Sequence, residues 1–463
     1  MRRSTTTTLL RSGRGAGLGA VACVAFIVLV GAAVAAWGTV GSDAWWPVAL
    51  GNDIRAGGAV PQGVPFAAAP TQDWVNTTVV GQLVLSLVGS AASTGMLAAQ
   101  CFSVTVTLCL LAWDTLRRGN SPLRTCVVLA LFVLGAAPAL LIARMQLLSL
   151  MPFALLLVLL RREHESPSAR IWFVPLLLAA WANLHGAVLI GVAVSGCYVV
   201  FSRLRVEPFR AALVGMACLL ATCANPGLLR APSYYLGVLG GEATSDPSGM
   251  WGRPELSNPF DLAMLACTLG LLLMALRRRV SLWEWVAVAG LAAGTFVASR
   301  NGVWLLGFLV GVAAAPARRD AVEPTPAANA GRHVGPALAI GAAALVAGSL
   351  LLLRTPSLQA NDRDVTDAAE AAAGRVVLAP EPLSEQLAAA GARIWVSNPL
   401  DAFHSVDQAA YLAFLRGDGQ AASRAFAAAD AIITTTASTD LALYEQEGFH
   451  TRRHVGSLLV LTR

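Results

Sequence analysis

At 463 residues, with 56% hydrophobic and only 13% charged side chains and a mean hydropathy of +0.63, the chain is too apolar for a soluble domain, which carries about a quarter charged residues. The net charge of +6 arises without a single lysine, and the arginines cluster beside apolar runs as topology signals do, so it does not point to nucleic acid. The eight cysteines (Cys23, Cys101, Cys109, Cys126, Cys197, Cys218, Cys223 and Cys267) fall in or beside apolar runs, which argues against a disulfide framework and a cysteine metal site.

The first apolar run, 16–37, follows Arg2, Arg3, Arg11 and Arg14. Its core is longer than that of a signal peptide, so it reads as an uncleaved first span with its N-terminus in the cytoplasm. A polar loop over 39–78 comes next. It is rich in Trp, Pro and Gly and carries Asp43, Trp45, Trp46, Asp53, Asp73 and Trp74. Residues 79–92 suit an interfacial or half-buried helix. Spans are predicted over 95–113, 126–143 and 147–160. A short helical hairpin is expected over 171–201, turning at Trp181-Ala182-Asn183-Leu184-His185-Gly186, followed by a span over 211–224. A second polar loop, 225–259, holds Tyr234, Tyr235, Glu242, Asp246, Trp251, Arg253 and Glu255. Further spans are predicted over 262–276, 282–298, 303–315 and, after a Pro/Ala-rich linker, 334–353. This gives a polytopic α-helical membrane protein of about eleven spans, N-in and C-out, with paired or triple arginines on the cytoplasmic side. Residues 1–354 form the membrane domain. Residues 355–463 read as a small extracytoplasmic α/β domain, with short strands near 376–379, 394–397 and 431–436, a closing strand pair over 449–462, and helices between them.

This topology gathers Asp43, Asp53, Asp73, Asp246, Glu255, Arg144, Arg253, Arg300, Asn183 and His185 on one side of the membrane, from separated parts of the chain, as sites between helices are built. Arg144 and Arg300 each sit between consecutive spans. They suit either a headgroup anchor or a phosphate clamp, for which arginine's forked donors are fitted. His185 suits a hydrogen-bonded structural role or a catalytic one. Trp45, Trp46, Trp74 and Trp251 suit an interfacial belt or a stacking surface for a sugar or isoprenoid. Asp43 suits a solvated helix cap or a functional acid. No glycine-rich phosphate loop, metal-ligand spacing or internal repeat is visible. The sequence neither requires nor excludes a divalent metal.

The first loop resembles a pattern of large bacterial membrane glycosyltransferases of the C type (GT-C), D-x-W-W-H-L-x-x-G-x-x-I-x-x-x-G-x-I-P-x-x-D-P-F-S followed by W-V-x-H-E-W-L. Asp43, Trp45, Trp46, Gly51, Ile54, Gly58, Pro61, Pro65, Phe66, Trp74 and Val75 match it. Ala143-Arg144 with Gln146, the 181–186 hairpin, Asn225-Pro226-Gly227 and Arg300-Asn301 are also similar to elements of such proteins. Pro47, Val64, Thr77-Thr78-Val79 and Met145 depart from the pattern. The resemblance implies transfer of a sugar from a polyprenyl-phosphate donor to an envelope glycan or protein acceptor, on the outer face of a bacterial plasma membrane. Asp43 would be the base or acceptor-placing acid. Arg144 and Arg300 would hold the departing phosphate. Asn183, His185, Trp45, Trp46, Trp74, Arg253 and Glu255 are the further candidate substrate contacts. The departures keep a non-catalytic envelope scaffold open as the alternative. A transporter or flippase is disfavoured, because the spans carry almost no charge and no repeat.

Overall fold

The computed structural model describes residues 6–71, 74–239, 252–316 and 334–463. Asp73, Glu242, Asp246 and Trp251 lie outside the described residues. The membrane part comprises α1 (Thr6–Trp37), β1 (Thr39–Val40), α2 (Ser42–Gly57), α3 (Val79–Gly89), α4 (Ala92–Arg117), α5 (Pro122–Gly135), α6 (Ala137–Leu141), β2 (Ile142–Ala143) and α7 (Leu147–Glu165). It continues with α8 (Phe173–Ala182), α9 (Val188–Tyr198), α10 (Pro208–Ala221), α11 (Ala231–Leu239), α12 (Pro259–Ala275), α13 (Leu282–Val297), α14 (Gly302–Ala313) and α15 (Val334–Ala371).

Among the described residues three helices are long and apolar enough to cross a membrane, over Gly19–Trp37, Ala92–Arg117 and Ala337–Ala371. Most of the other apolar runs form helices of 10 to 17 residues or are broken, and α7 has 19 residues with charged side chains in its last turn, whereas a full crossing takes about 20 apolar residues. The run over 171–201 breaks at 183–187 into α8 and α9, so the expected hairpin has its turn where Asn183 and His185 stand. The first part of the first loop is helical: α2 covers Asp43, Trp45 and Trp46. The last apolar helix does not end near residue 353: α15 runs on through Arg354 and Pro356 to Ala371. Arg354 donates to the carbonyls of Ala35 (2.6 Å) and Gly38 (3.1 Å) at the end of α1. Asp362 accepts from Ser93 Oγ (2.6 Å) and Ser93 N (3.3 Å) at the start of α4. One continuous helix therefore ties the tail to the bundle.

Every residue of α14 is buried, so this helix is the centre of the bundle. Its last carbonyls lack intrahelical partners. Two arginines and an amide supply partners there: Arg118 donates to Gly311 O (2.7 Å), Arg124 to Ala313 O (2.8 Å) and Asn120 to Ala314 O just past the helix (2.7 Å), while Arg161 adds a bond to Phe308 O one turn earlier (2.8 Å). Cations at a helix C-terminus also face its negative dipole end. Gly311 is needed here, since a Cβ would stand 2.0 Å from the Arg161 guanidinium carbon. Asp114, 1% exposed, collects Arg117 (2.7 Å), Arg118 (3.1 Å) and Arg161 (3.4 Å). Arg118 and Arg161, expected as topology signals, are thus also interior supports.

The tail folds as expected into a five-stranded sheet, ordered β4-β3-β5-β7-β6, from β3 (Val376–Leu378), β4 (Arg393–Ile394), β5 (Ala431–Thr435), β6 (Thr451–Val455) and β7 (Leu458–Thr462). β3 is parallel to β4 and β5, and β7 is antiparallel to β5 and β6. Helix α16 (Leu383–Ala389) links β3 to β4 and packs on α2. The outer edge of β4 is covered by the first loop. Ala68 N donates to Ile394 O (2.7 Å), Ala69 N to Trp395 O (3.1 Å) and Ile394 N to Phe66 O (2.9 Å), so a parallel bridge at Ala67 extends the sheet and leaves no open edge there.

Candidate functional site

Two chain segments meet where the bundle joins the tail. β1 and β2 pair in parallel, Thr39 opposite Ile142 and Val40 opposite Ala143. The pairing continues past the strands, with Gly41 N donating to Ala143 O (2.9 Å) and Met145 N to Asp43 O (3.1 Å). This register places Asp43, in the first turn of α2, beside Arg144. The Arg144 side chain lies against Gly41: a Cβ there would be 3.2 Å from Arg144 Nε. Burial, then the Arg300 charge acting against the pull of Asp43, lowers the Arg144 pKa from its ordinary value. Arg300, on the turn that opens α14, is likewise lowered by burial and supported by Asp43. Asp43, Arg144, His185 and Arg300 are all half-buried. The structure therefore brings these four sequence-chosen residues into one electrostatic group, a carboxylate among two guanidinium groups and an imidazole.

His185 is held from the protein side. Its Nδ1 lies 2.8 Å from Ser149 Oγ and accepts from Ala187 N at 3.2 Å, while Trp181 Nε1 donates to Ser149 Oγ at 2.8 Å. Burial, and then the positive charge of Arg300, pushes its pKa down to about 4. Asn183 serves the hairpin, with its amide donating to Ala179 O (2.9 Å) and to Ala224 O. Gly81 N donates to Asn183 O (2.9 Å), and only glycine fits there because a Cβ would stand 2.2 Å from Leu184 O.

The tail supplies a third wall that sequence reasoning missed. Glu381 follows β3, and Asn398 and Asp401 follow β4, so all three lie past the carboxyl ends of parallel strands, where open α/β sheets place their ligands. That position rule is the signal that was available in the sequence. Asp401 Oδ2 accepts from Trp74 Nε1 (3.0 Å) and from Tyr234 OH (2.7 Å), so both long loops converge on one tail carboxylate. Glu381 is exposed, accepts from Asn398 Nδ2 (2.9 Å), and feels the charges of Asp43 and Arg144.

The remaining candidates sit elsewhere. Trp45 and Trp46 are buried in the core, 6% and 9% exposed, and do not form an interfacial belt; Trp46 packs edge-on to Trp74 at 6.3 Å. Arg253 and Glu255 are exposed on the segment that accepts a hydrogen bond from Ser299 N at Gly252 O (2.9 Å), next to Arg300. Asn76 and Gln82 exchange two amide hydrogen bonds of 2.8 Å and are buried, so this pair is a structural brace. Among the described residues no group of three or more His, Cys, Asp or Glu side chains is placed to hold a metal ion.

Glu385 gives the tail a pH dependence. It is fully buried, and its Oε1 accepts from Asn398 N and Nδ2, both at 3.0 Å. Burial, followed by the Glu381 charge, raises its pKa from the ordinary 4.5 to about 8. The folded state therefore keeps this proton where the unfolded chain releases it. Its contribution to stability is complete below about 4.5 and is lost as pH rises through about 8. The melting temperature is expected to fall over that interval, and Glu385→Gln is expected to flatten the fall. An unchanged slope in the variant would contradict this assignment.

No family model and no curated protein sequence matches the chain. Among solved structures it is similar to the archaeal oligosaccharyltransferase AglB from Archaeoglobus fulgidus, in complex with an inhibitory peptide and a dolichol-phosphate (TM-score 0.52, 10% identity, covering 90% of this chain and 69% of that one). It is also similar to ArnT from Cupriavidus metallidurans bound to undecaprenyl phosphate (TM-score 0.48, 13% identity, 95% and 97% covered). The likeness to AglB is one of fold, and with the apolar helices it makes this chain a membrane protein with the GT-C architecture that the loop pattern implied.

Proposed function

We propose that the protein is a membrane glycosyltransferase that moves a sugar from a polyprenyl-phosphate donor to an envelope acceptor at the outer face of a bacterial plasma membrane. Its bundle would carry about eleven crossing or re-entrant segments, with the N-terminus inside and the tail domain of 355–463 outside. The observation that carries this reading is the short parallel pairing that sets Asp43 beside Arg144, with Arg300 and His185 close enough to act on them. In the reaction the acceptor hydroxyl gives its proton to the Asp43 carboxylate as its oxygen bonds to the sugar's anomeric carbon. The bond from that carbon to the phosphate oxygen breaks, and the polyprenyl phosphate leaves with the electron pair. Arg144 and Arg300 balance the charge that grows on the phosphate.

The test is binding of a polyprenyl monophosphate to purified wild-type protein, with transfer followed from a polyprenyl-phosphate sugar. Arg144→Ala and Arg300→Ala are each expected to weaken binding by about 10- to 100-fold, the worth of a hydrogen bond to a charged group. Variants that accumulate normally and bind as wild type does would refute the clamp. Binding without any transfer would favour a lipid-binding scaffold.

A further inference from the structure

The His185 ring is fixed by an ordered run of hydrogen bonds. Trp181 Nε1–H can only donate, so Ser149 Oγ accepts from it at 2.8 Å. The Ser149 hydroxyl has one proton, and its other close partner is His185 Nδ1 at 2.8 Å. The backbone N–H of Ala187 also points at Nδ1, at 3.2 Å, and it too can only donate. A ring nitrogen that faces a backbone N–H is an acceptor, so it carries no proton, and the hydroxyl proton of Ser149 turns toward it as well. Ser149 and Trp181 are fully buried, while His185 is half-buried. With Nδ1 occupied, the polar atom that the ring offers to a ligand is Nε2.

We propose that Trp181 and Ser149 lock His185 as the tautomer protonated at Nε2, making it a neutral hydrogen-bond donor to a phosphoryl oxygen of the lipid-linked substrate rather than a general base. This rests on the transferase reading above. Ser149 and Trp181 are then positioning residues that act through His185. The charged groups that act on the ring are Arg300, at the start of α14, and Asp43, on α2. An imidazolium beside Arg300 is disfavoured, in line with the ring's low pKa, whereas a neutral N–H next to Arg300 adds a donor without adding charge. The arrangement also explains why Ser149 sits at the start of α7, facing a hairpin turn 36 residues further along the chain.

Two measurements on the full-length protein in detergent test this. The nitrogen shifts of the histidines, assigned by difference against His185→Ala, are expected to show Nε2–H and a bare Nδ1 for His185 across about pH 5.5 to 8. Binding of a polyprenyl monophosphate is expected to weaken about tenfold in His185→Ala and severalfold in Ser149→Ala. His185→Gln, whose amide N–H reaches the Nε2 position, and Ser149→Thr are expected to recover most of it. A proton on Nδ1, or a ring that titrates within that pH range, overturns the tautomer. Normal binding by His185→Ala, in a protein whose wild type binds, overturns the donor role and leaves the transferase reading standing. A wild type that binds inorganic phosphate but no polyprenyl phosphate overturns the ligand named here together with that reading.

Discussion

Asp43→Asn is expected to lower sugar transfer by about 10²- to 10⁴-fold, the usual contribution of a positioned general base, while binding of a polyprenyl phosphate is kept or tightened. The two effects separate because the carboxylate stands among cations. Arg144 and Arg300 repel each other, and Asp43 attracts both. Asparagine keeps the shape and the N-terminal place on α2 but removes one negative charge. The arginine pair then faces an anionic phosphate with less competition, so affinity does not fall. Turnover falls because an amide cannot take the acceptor's proton. Asp43→Glu retains a base on a longer arm and is expected to recover part of the rate. The measurement is transfer from a polyprenyl-phosphate sugar by purified protein, beside lipid binding by the same samples. A scaffold would instead show full complementation of a deletion strain by Asp43→Asn at normal membrane levels. If both turnover and binding collapse, Asp43 is holding Arg144 in place and is not the base.

Three of the four residues at the centre of the candidate site were legible because each lies within a few residues of an apolar run's end. Asp43, Arg144 and Arg300 stand at turns or helix starts between apolar segments, places that hydropathy fixes, whereas the turn at His185 lies inside the apolar run over 171–201 and followed from the basic loops on both sides of it. Their convergence was not legible in the same way. It depends on the β1–β2 pairing between segments a hundred residues apart, each only two residues long. No periodicity can appear in two residues. The tail contribution was hidden for a related reason. Glu381, Asn398 and Asp401 read as loop residues, and the docking of 66–69 onto the β4 edge, the packing of α16 on α2 and the Trp74–Asp401 hydrogen bond bring the loop and the tail together. Tryptophan placement misled in the opposite direction. Trp45 and Trp46 carry the composition of a membrane belt, yet α2 turns them inward, where burying such large surfaces is favourable. Arginine composition misled similarly, because pairs at span ends serve both as topology signals and as helix caps. Burial, which sequence does not reveal, decides which role applies.

Asp114→Ala is expected to be the most destabilising single change outside the site, at about 3–5 kcal/mol, because it strands buried cations that the carboxylate now pairs. Arg118 and Arg161 have side chains only 6% and 2% exposed, so water cannot replace Asp114 around them. Both also donate to carbonyls in the C-terminal half of α14, and Arg161 reaches Glu284 at 3.5 Å as well. Losing the central acid therefore loosens the C-terminal end of the most buried helix. The other end of that helix begins directly after Arg300, about 18 Å away for its 12 residues. The network thus acts on the site only through the rigidity of α14, and this gives the prediction a shape that a local site variant lacks. Asp114→Ala should lower the apparent melting temperature and the yield of folded protein in detergent, and the folded fraction should bind polyprenyl phosphate more weakly. Arg144→Ala should weaken binding with little change in melting. Asp114→Glu should recover stability in part. Wild-type melting in Asp114→Ala would mean that the three arginines find other partners and that the carboxylate is not what holds the C-terminal end of α14.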